Sequence, residues 1–410
     1  MAFWAVLVLF IATGKNAMSE HETSSKKVAF YNNPTIRALF YQALLLLGLG
    51  WFFYVIVSNT LANMEARGIK SGFDFLWGTA GFDILMSLVP YDATHTYGRT
   101  FIVGLLNTIL VSIIGIILST VVGFVMGVAH FSHNWLIKKL AVAYVETFRN
   151  IPLLLQVFFW YFAVLSALPS ARQSLSLGEA IFLNVRGLYL PDLVGEAGSS
   201  VVYGSVAIAI AVAFFVKRWA KKRQEQTGQQ FPVFSVGIAL IVGLPLLAFF
   251  AMGMPFHWDY PALKGFNFRG GISVIPELMA LALALTVYTG AFIAEAVRAG
   301  VQSVPHGQTE AARALGMKER QIMNLIIVPQ AMRVITPLLN SEYQSLVKNS
   351  TLATAVGYPD LFTVFVGTTL NQTGQAIEIV FMTMAVYFVF NMLISIVMNL
   401  FNKKVALVTR

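Results

Sequence analysis

Cysteine is absent from all 410 residues, which excludes a disulfide framework and any thiolate metal site. Charge is also scarce. Asp, Glu, Lys and Arg make up 11% of the chain, where a soluble globular protein carries about 25%. No G-x-x-x-x-G-K-[S/T] motif occurs, since Gly14-Lys15 has neither an upstream glycine at that spacing nor a following Ser or Thr. The chain therefore has no P-loop in which to cradle ATP. H-E-x-x-H is missing too. His21, His95, His130, His133, His257 and His306 do not fall at ligand spacing within one helix, and His130 and His133 lack a nearby carboxylate or third ligand. These absences predict no catalytic residue, no metal and no cofactor. The net charge of +9 would suit nucleic acid if it were clustered. Its Lys and Arg lie mostly in short loops between apolar runs, the pattern that sets membrane topology, so no nucleic-acid partner is expected.

What the chain has in abundance is apolar sequence: 57% hydrophobic residues, 33 Phe and a mean hydropathy of +0.71. A membrane helix needs about 20 apolar residues. Eight runs meet or approach that length: Ala38–Thr60, Phe101–Ala129, Leu140–Leu165, Ser200–Val216, Val233–Gly253, Ile272–Val297, Met332–Val356 and Ala376–Phe401. All are expected to be helical, because lipid offers no partner for a free backbone group. With both termini placed in the cytoplasm, nineteen Lys and Arg fall in inside segments and seven in outside ones, which favours that orientation. The segment Gly72–Pro90 mixes aromatic and polar residues and is expected to lie along the interface, anchored by Trp77. Met1–Thr13 is apolar but has no basic start and no A-x-A cleavage site. It reads as an upstream extension, with the natural start at Met18.

The most specific stretch is Val304–Pro329, VPHGQTEAARALGMKERQIMNLIIVP, a polar hairpin between two apolar spans. Pro305 and Gly307 are expected to break the preceding helix. Gln308–Leu315 suits a short helix, with Gly316 at its C′ position. Ala311, Ala312 and Ala314 keep that helix slim enough to enter a groove. Lys318–Val328 is expected to form a second helix that stops at Pro329.

This hairpin resembles the EAA loop of ABC-importer permeases, the part that plugs into a cleft of the ATP-hydrolysing subunit. Three further segments extend the likeness to polar-amino-acid permeases. Thr100–Phe131 is similar to their opening span. Arg149–Gln156 (RNIPLLLQ) is similar to their R-G-T-P-L-L-V-Q segment. Lys348–Ala353 (KNSTLA) is similar to their K-D-T-S-L-A, with Asn349 in place of the acid. The resemblance covers roughly 100–166 and 272–402. The extra spans resemble the larger, Q-type permease of general L-amino-acid transporters.

The resemblance implies an all-α polytopic membrane protein: a five-helix permease core plus one N-terminal and two inserted helices. The expected divisions are a cytoplasmic tail (1–37), an extra span with its interfacial segment (38–99), core (100–166), insertion (167–271), core with the EAA loop at 304–329 (272–402), and a second cytoplasmic tail (403–410). It implies a place in the bacterial inner membrane and transport by alternating access. The implied partners are a dimeric ABC ATPase, a second homologous permease, a periplasmic amino-acid-binding protein and an L-amino-acid substrate. Gly307, Gln308, Glu310, Ala311, Ala312, Leu315 and Gly316 would form the ATPase-coupling loop. The alternative is an ion-coupled secondary carrier, which calls for inverted repeats; no internal repeat is visible in the sequence.

Charged and amide groups inside spans mark a candidate substrate path, because each is costly in lipid. Glu295 lies three residues before Arg298 and can pair with it on one face. Glu342 and Lys348 sit in the most polar span beside Asn340, Gln344 and Asn349. A zwitterionic substrate needs an acceptor and a donor, which Glu342, Asn340 and Lys348 supply; a polar network between helices is the other reading. Gln156, one turn beyond Pro152, completes the set, with Glu146 and Arg149 flanking a kink at Pro152.

Overall fold

The computed structural model describes residues 34–66 and 72–405. The expected start at Met18 and the reading of Met1–Thr13 lie outside the described residues. The chain divides into two compact units, Met1–Ser71 and Gly72–Arg410. In the first, helix α1 (Pro34–Ala66) is apolar and exposed around its circumference, Leu47 and Trp51 included, as suits a helix sheathed by lipid.

The second unit holds the remaining spans. Helix α2 is Tyr97–Ala129, α3 is Trp135–Asn150, and α4 is Leu153–Phe158, widening into a π-helical turn over Phe159–Leu165. The inserted helices are α5 (Ser199–Thr227) and α6 (Val233–Ala251). Then come α7 (Pro276–Gln302), α8 (His306–Ala314), α9 (Glu319–Ile322) and α10 (Val328–Asn349), followed by α11 (Leu370–Thr373) and α12 (Ala376–Val405). Among the described residues seven helices are long and apolar enough to cross a membrane, or eight if the bent pair α3–α4 makes one span.

Several expected boundaries move. Leu140–Leu165 is not one kinked span: α3 and α4 meet at a bend of 107° across Ile151-Pro152. Pro152 cannot continue the helical ladder and pushes Ile151 to an extended conformation, φ −96° and ψ 126°. Pro329 ends nothing. The chain runs from α9 through a π-helical turn at Met323–Ile327 directly into α10. The Val328 N–H donates to the Met323 carbonyl, so the π-helical turn carries the ladder up to the residue before Pro329, which has no N–H of its own to place. Gly307 breaks nothing either; it lies inside α8, and Pro305 is the residue before it. The segment Gly72–Pro90 has no regular helix or strand beyond the short 3₁₀ turn Asp74–Trp77.

Ile272 begins a strand rather than a span. The insertion carries eight short strands in antiparallel pairings: β1 (Leu175–Leu177), β2 (Ile181–Asn184), β3 (Gly187–Leu190), β4 (Asp192–Gly195), β5 (Phe256–Asp259), β6 (Ala262–Lys264), β7 (Asn267–Arg269) and β8 (Ile272–Val274). One sheet has the order β1-β2-β3-β8, with Tyr189 opposite Ser273. β4 pairs with β5, and β6 with β7. Gly187 has φ +130°, and a Cβ there would lie 2.2 Å from the Val274 carbonyl oxygen, so only glycine closes β3 onto β8. Phe268 stacks on Phe182 with ring centroids 4.5 Å apart, giving the strands a small core.

The main core forms along α2, α7 and α10. The buried face of α2 reads Gly104, Thr108, Ser112, Gly115, Ser119, Gly123 and Gly127, mostly small residues at three- or four-residue spacing. A Cβ on Gly123 would meet Ile293 at 2.5 Å, and one on Gly127 would meet Val297 at 2.6 Å. The register advances by four on both helices, so α2 and α7 run parallel at backbone contact. Gly300 makes the same seam between α7 and Ile335 of α10. Ala331 and Leu339 pack there with Ile293, Val297 and Ile335, and Val111, Leu153, Leu281, Leu285, Leu346 and Tyr358 form a second cluster.

Gly127→Ala is expected to lower stability by about 1–3 kcal/mol through overpacking of this seam. Gly307→Ala, where a Cβ meets nothing within 4 Å, is expected not to destabilise. Thermal unfolding in detergent compares the two; equal midpoints would show that the seam is looser than its geometry.

Candidate functional site

Helix α8 is built to be presented. It starts at Pro305, whose missing N–H is one of the four that have no intrahelical partner at a helix start. Its far end is closed by a Schellman motif: the Gly316 N–H donates to the Arg313 carbonyl at 2.9 Å, and the Met317 N–H donates to the Ala312 carbonyl at 3.2 Å. Gly316 has φ +74°, the left-handed conformation that this stop requires. Arg313 Nε donates to Glu319 Oε1 at 2.8 Å, tying α8 to α9 across the turn. That carboxylate holds the Arg313 guanidinium above its ordinary pKa. Ala312 is buried on the side where α8 meets α9, as is Ile322 of α9.

The rest of α8 faces outward. Gly307, Gln308, Glu310 and Ala311 are exposed, and Leu315 at the tip is 82% exposed. The seven coupling-loop residues expected from the sequence are thus brought onto one short helix and its stop. Six present an open surface and Ala312 anchors it.

The candidate path residues are not gathered in one place. Asn340 and Glu342, two residues apart on α10, point about 200° apart around the helix. Asn340 Oδ1 accepts from Gln344 Nε2 at 3.1 Å. Lys348 lies one turn further along the same stripe and is exposed. Glu342 is on the other flank and half-buried.

Arg149 belongs to the Glu295 cluster. Its Nη1 lies 3.7 Å from Glu295 Oε2, and its guanidinium sits 5.2 Å from the centroid of the Phe292 ring. Arg298 grips the same carboxylate through two nitrogens, with Nε at 2.8 Å from Oε2. Its Nη1 donates to Gln302 at 2.7 Å. Glu295, Arg298, Arg149, Glu146 and His130 line a polar pocket of 330 Å³ between the last turns of α2, α3 and α7. The sequence reading noted the Glu295–Arg298 spacing; the bridge from Arg149, 146 residues away in the chain, needed the fold.

Gln156 lies apart from both groups. It is 4% exposed, and its Nε2 donates to the carbonyls of Phe148 and Ile151, each at 3.0 Å. These are carbonyls that the break at Pro152 leaves without helical partners. The side chain therefore staples the 107° bend. Its position one turn past the proline was the available signal.

Comparison with known proteins places this architecture. Residues 115–407 match the family described as binding-protein-dependent transport system inner membrane component. YhdX of Escherichia coli (strain K12), assigned as an amino-acid ABC transporter permease, is 50% identical over 96% of this chain and 100% of its own length. The general L-amino acid transport system permease protein AapQ of Rhizobium johnstonii is 48% identical over 94% of this chain and 96% of its own. The glutamate/glutamine/aspartate/asparagine transport system permease protein BztB of Rhodobacter capsulatus is 40% identical, covering 90% and 92%.

Gln156→Leu strands two partly buried carbonyls at the bend and is expected to lower stability by about 1–3 kcal/mol. Asn150→Ala removes an exposed bond to the Glu146 carbonyl and is expected to change stability by less than about 0.5 kcal/mol. Unfolding midpoints in detergent decide; a Gln156→Leu midpoint as high as that of the native chain would remove the staple from the account.

Proposed function

The chain belongs to the family of inner-membrane components of binding-protein-dependent transport systems, and from that premise we propose how it works. It is the larger permease subunit of an ABC importer for L-amino acids. A separate ATPase subunit supplies the energy, and a binding protein delivers the substrate. A second, homologous permease completes the pathway. Both termini and α8 face the cytoplasm, in keeping with the excess of Lys and Arg on that side.

The observation that carries this reading is the shape of α8. A short helix with small outward residues, a glycine stop and an apolar tip at Leu315 is exposed where this chain has no use for it. Such a surface fits a cleft on a partner. α8 is joined directly to both sides of the core: α7 leads into it through Ser303–Pro305, and α9 leads out of it through the π-helical turn into α10. α7 and α10 pack on each other at Gly300 and Ile335. A pull on α8 by a closing ATPase dimer therefore moves the two helices that carry Glu295, Asn340 and Glu342. No hydrolytic site is needed in the chain; it transmits work.

The path itself is assigned to α10. Asn340, Gln344 and Lys348 form a stripe that lipid would solvate poorly, and Lys348 is exposed in the single subunit. We place that stripe against the partner permease and the water-filled path between the two. Glu342 contributes from the other flank.

Leu315→Glu and Glu310→Lys are expected to abolish uptake and retention of the ATPase on purification, with membrane insertion unchanged, because both side chains are exposed. Uptake in vesicles together with subunit co-purification tests this; normal transport by both variants would sink the coupling assignment.

Asn340→Leu and Glu342→Gln are expected to shift apparent affinity or substrate range severalfold at normal expression. The check is uptake kinetics over several amino acids. Unchanged kinetics in Glu342→Gln alone would confine the path to the Asn340 stripe, and unchanged kinetics in both would move it off α10.

A further inference from the structure

Transport leaves the inner end of the inserted hairpin without a role, yet it is shaped as a site. Over its last turns α5 places Phe214, Lys217, Arg218, Lys221 and Gln224 at i, i+3, i+4, i+7 and i+10, one face of a helix. That face borders an open cavity of 450 Å³ with Phe231, just before α6, and Val233, its first residue. Three cations line it and no carboxylate does. The single acid from Lys217 to Val233 is Glu225. Its Oε1 lies 3.8 Å from Lys221 Nζ with both side chains exposed, a pair of little strength.

Membrane topology alone does not ask for this. Orientation depends on how many Lys and Arg flank a span, not on their convergence. The two remaining basic residues of the cluster, Lys222 and Arg223, turn away from the cavity. Arg223 sits 5.4 Å from the Trp219 ring centroid and donates to Gln229 at 2.9 Å.

The surroundings select the ligand. α6 has no buried residue, and α5 packs chiefly on α6, so the hairpin is flanked by lipid. The cavity wall is apolar at Phe214, Phe231 and Val233 and cationic at Lys217, Arg218 and Lys221. The side of the membrane follows from the strands. β3, which leads through β4 into α5, pairs with β8, which leads into α7. β4 continues from β3 after the single residue Pro191, so α5 and α7 leave the same group of strands, and the far end of α5 lies on the same side as α8.

We propose that this cavity binds an anionic phospholipid of the leaflet that α8 faces. Lys217, Arg218 and Lys221 hold the headgroup phosphate, and the first acyl methylenes lie on Phe214 and Phe231. A basic pocket between membrane helices suits such a headgroup electrostatically. A free anion would leave the aromatic wall unused.

The test uses the full-length chain, purified in mild detergent and exchanged into phosphatidylcholine. Phosphatidylglycerol or cardiolipin is then titrated in, and bound lipid is counted by native mass spectrometry. Two charge-loss variants are compared: the cavity triple Lys217→Gln, Arg218→Gln, Lys221→Gln, and the off-cavity pair Lys222→Gln, Arg223→Gln. Phe231→Ser opens the wall while keeping every charge, and so reports on the site even if the triple variant inserts poorly. The expected result is at least about tenfold weaker anionic-lipid binding in the triple variant, given its three lost cations. Weaker binding in Phe231→Ser and little change in the off-cavity pair complete the pattern. Equal loss in triple and pair would mean diffuse attraction and overturn the proposal. Displacement of the lipid by millimolar inorganic phosphate, or undiminished binding in both Phe231→Ser and the triple, would overturn it as well.

Discussion

The parallel contact of α2 and α7 is the constraint on which the rest of the core depends. Without side chains at Gly123 and Gly127, the two backbones come close enough for Ile293 and Val297 to occupy the space that Cβ atoms would fill. In lipid no hydrophobic force drives apolar helices together, so close van der Waals packing of this kind carries the association. The seam also fixes chemistry. It sets His130, just past the end of α2, beside Glu295 and Arg298 of α7, and it leaves the outer side of that pocket to α3. Tyr144 of α3 completes the join by donating to the Val287 carbonyl at 2.7 Å.

Around this rigid pair the chain departs from regular helix at each place where it must turn or yield. The bend at Pro152 is closed by Gln156, and the π-helical turns at Phe159–Leu165, Met323–Ile327 and Phe362–Thr369 each widen one stretch. Irregular backbone at membrane depth persists only where protein or water satisfies it. The segment after α10 shows how. Asn107 Nδ2 donates to the carbonyls of Met86 and Pro359, and Thr108 Oγ1 accepts from the Leu361 N–H at 2.9 Å. The non-helical turn is thus held by buried polar groups of α2. The turn at Met323–Ile327 lies between α8 and the polar stripe of α10, on the route by which motion of α8 would reach the path.

What could be read from the sequence follows from this division. Spans were legible because hydropathy is a bulk property, and α8 was legible because Pro305 and Gly316 each have one plain local consequence. The 107° break was not, since an apolar run looks the same straight or bent; only Pro152 hinted at it. Pro329 misled because its stop signal is real in a regular helix and vanishes in a π-helical turn. The strands of three or four residues are too short to show alternation. Asn340 and Glu342 were grouped by proximity in the chain, although 3.6-residue periodicity already sets them on different faces. Arg149 beside Glu295 is a tertiary fact, and no spacing rule would have produced it.

The insertion shows why a core of this kind tolerates two extra spans. Between the end of α4 and the start of α7 the chain leaves for over a hundred residues, yet it must return to nearly the same point. β3 and β8 make that return. Leu188 pairs with Val274 and Leu190 with Ile272, so the outgoing and incoming chains are hydrogen-bonded to each other at the mouth of the insertion. Loop-closure entropy grows only slowly with length, so once the ends are clasped the size of what lies between matters little. The clasp is also the main join between the hairpin and the core. α5 and α6 pack chiefly on one another, and α7 takes its position from the sheet and from α2. A hairpin tethered in this way meets the core chiefly through the strands, whereas in the mechanism proposed above α7 and α10 follow α8.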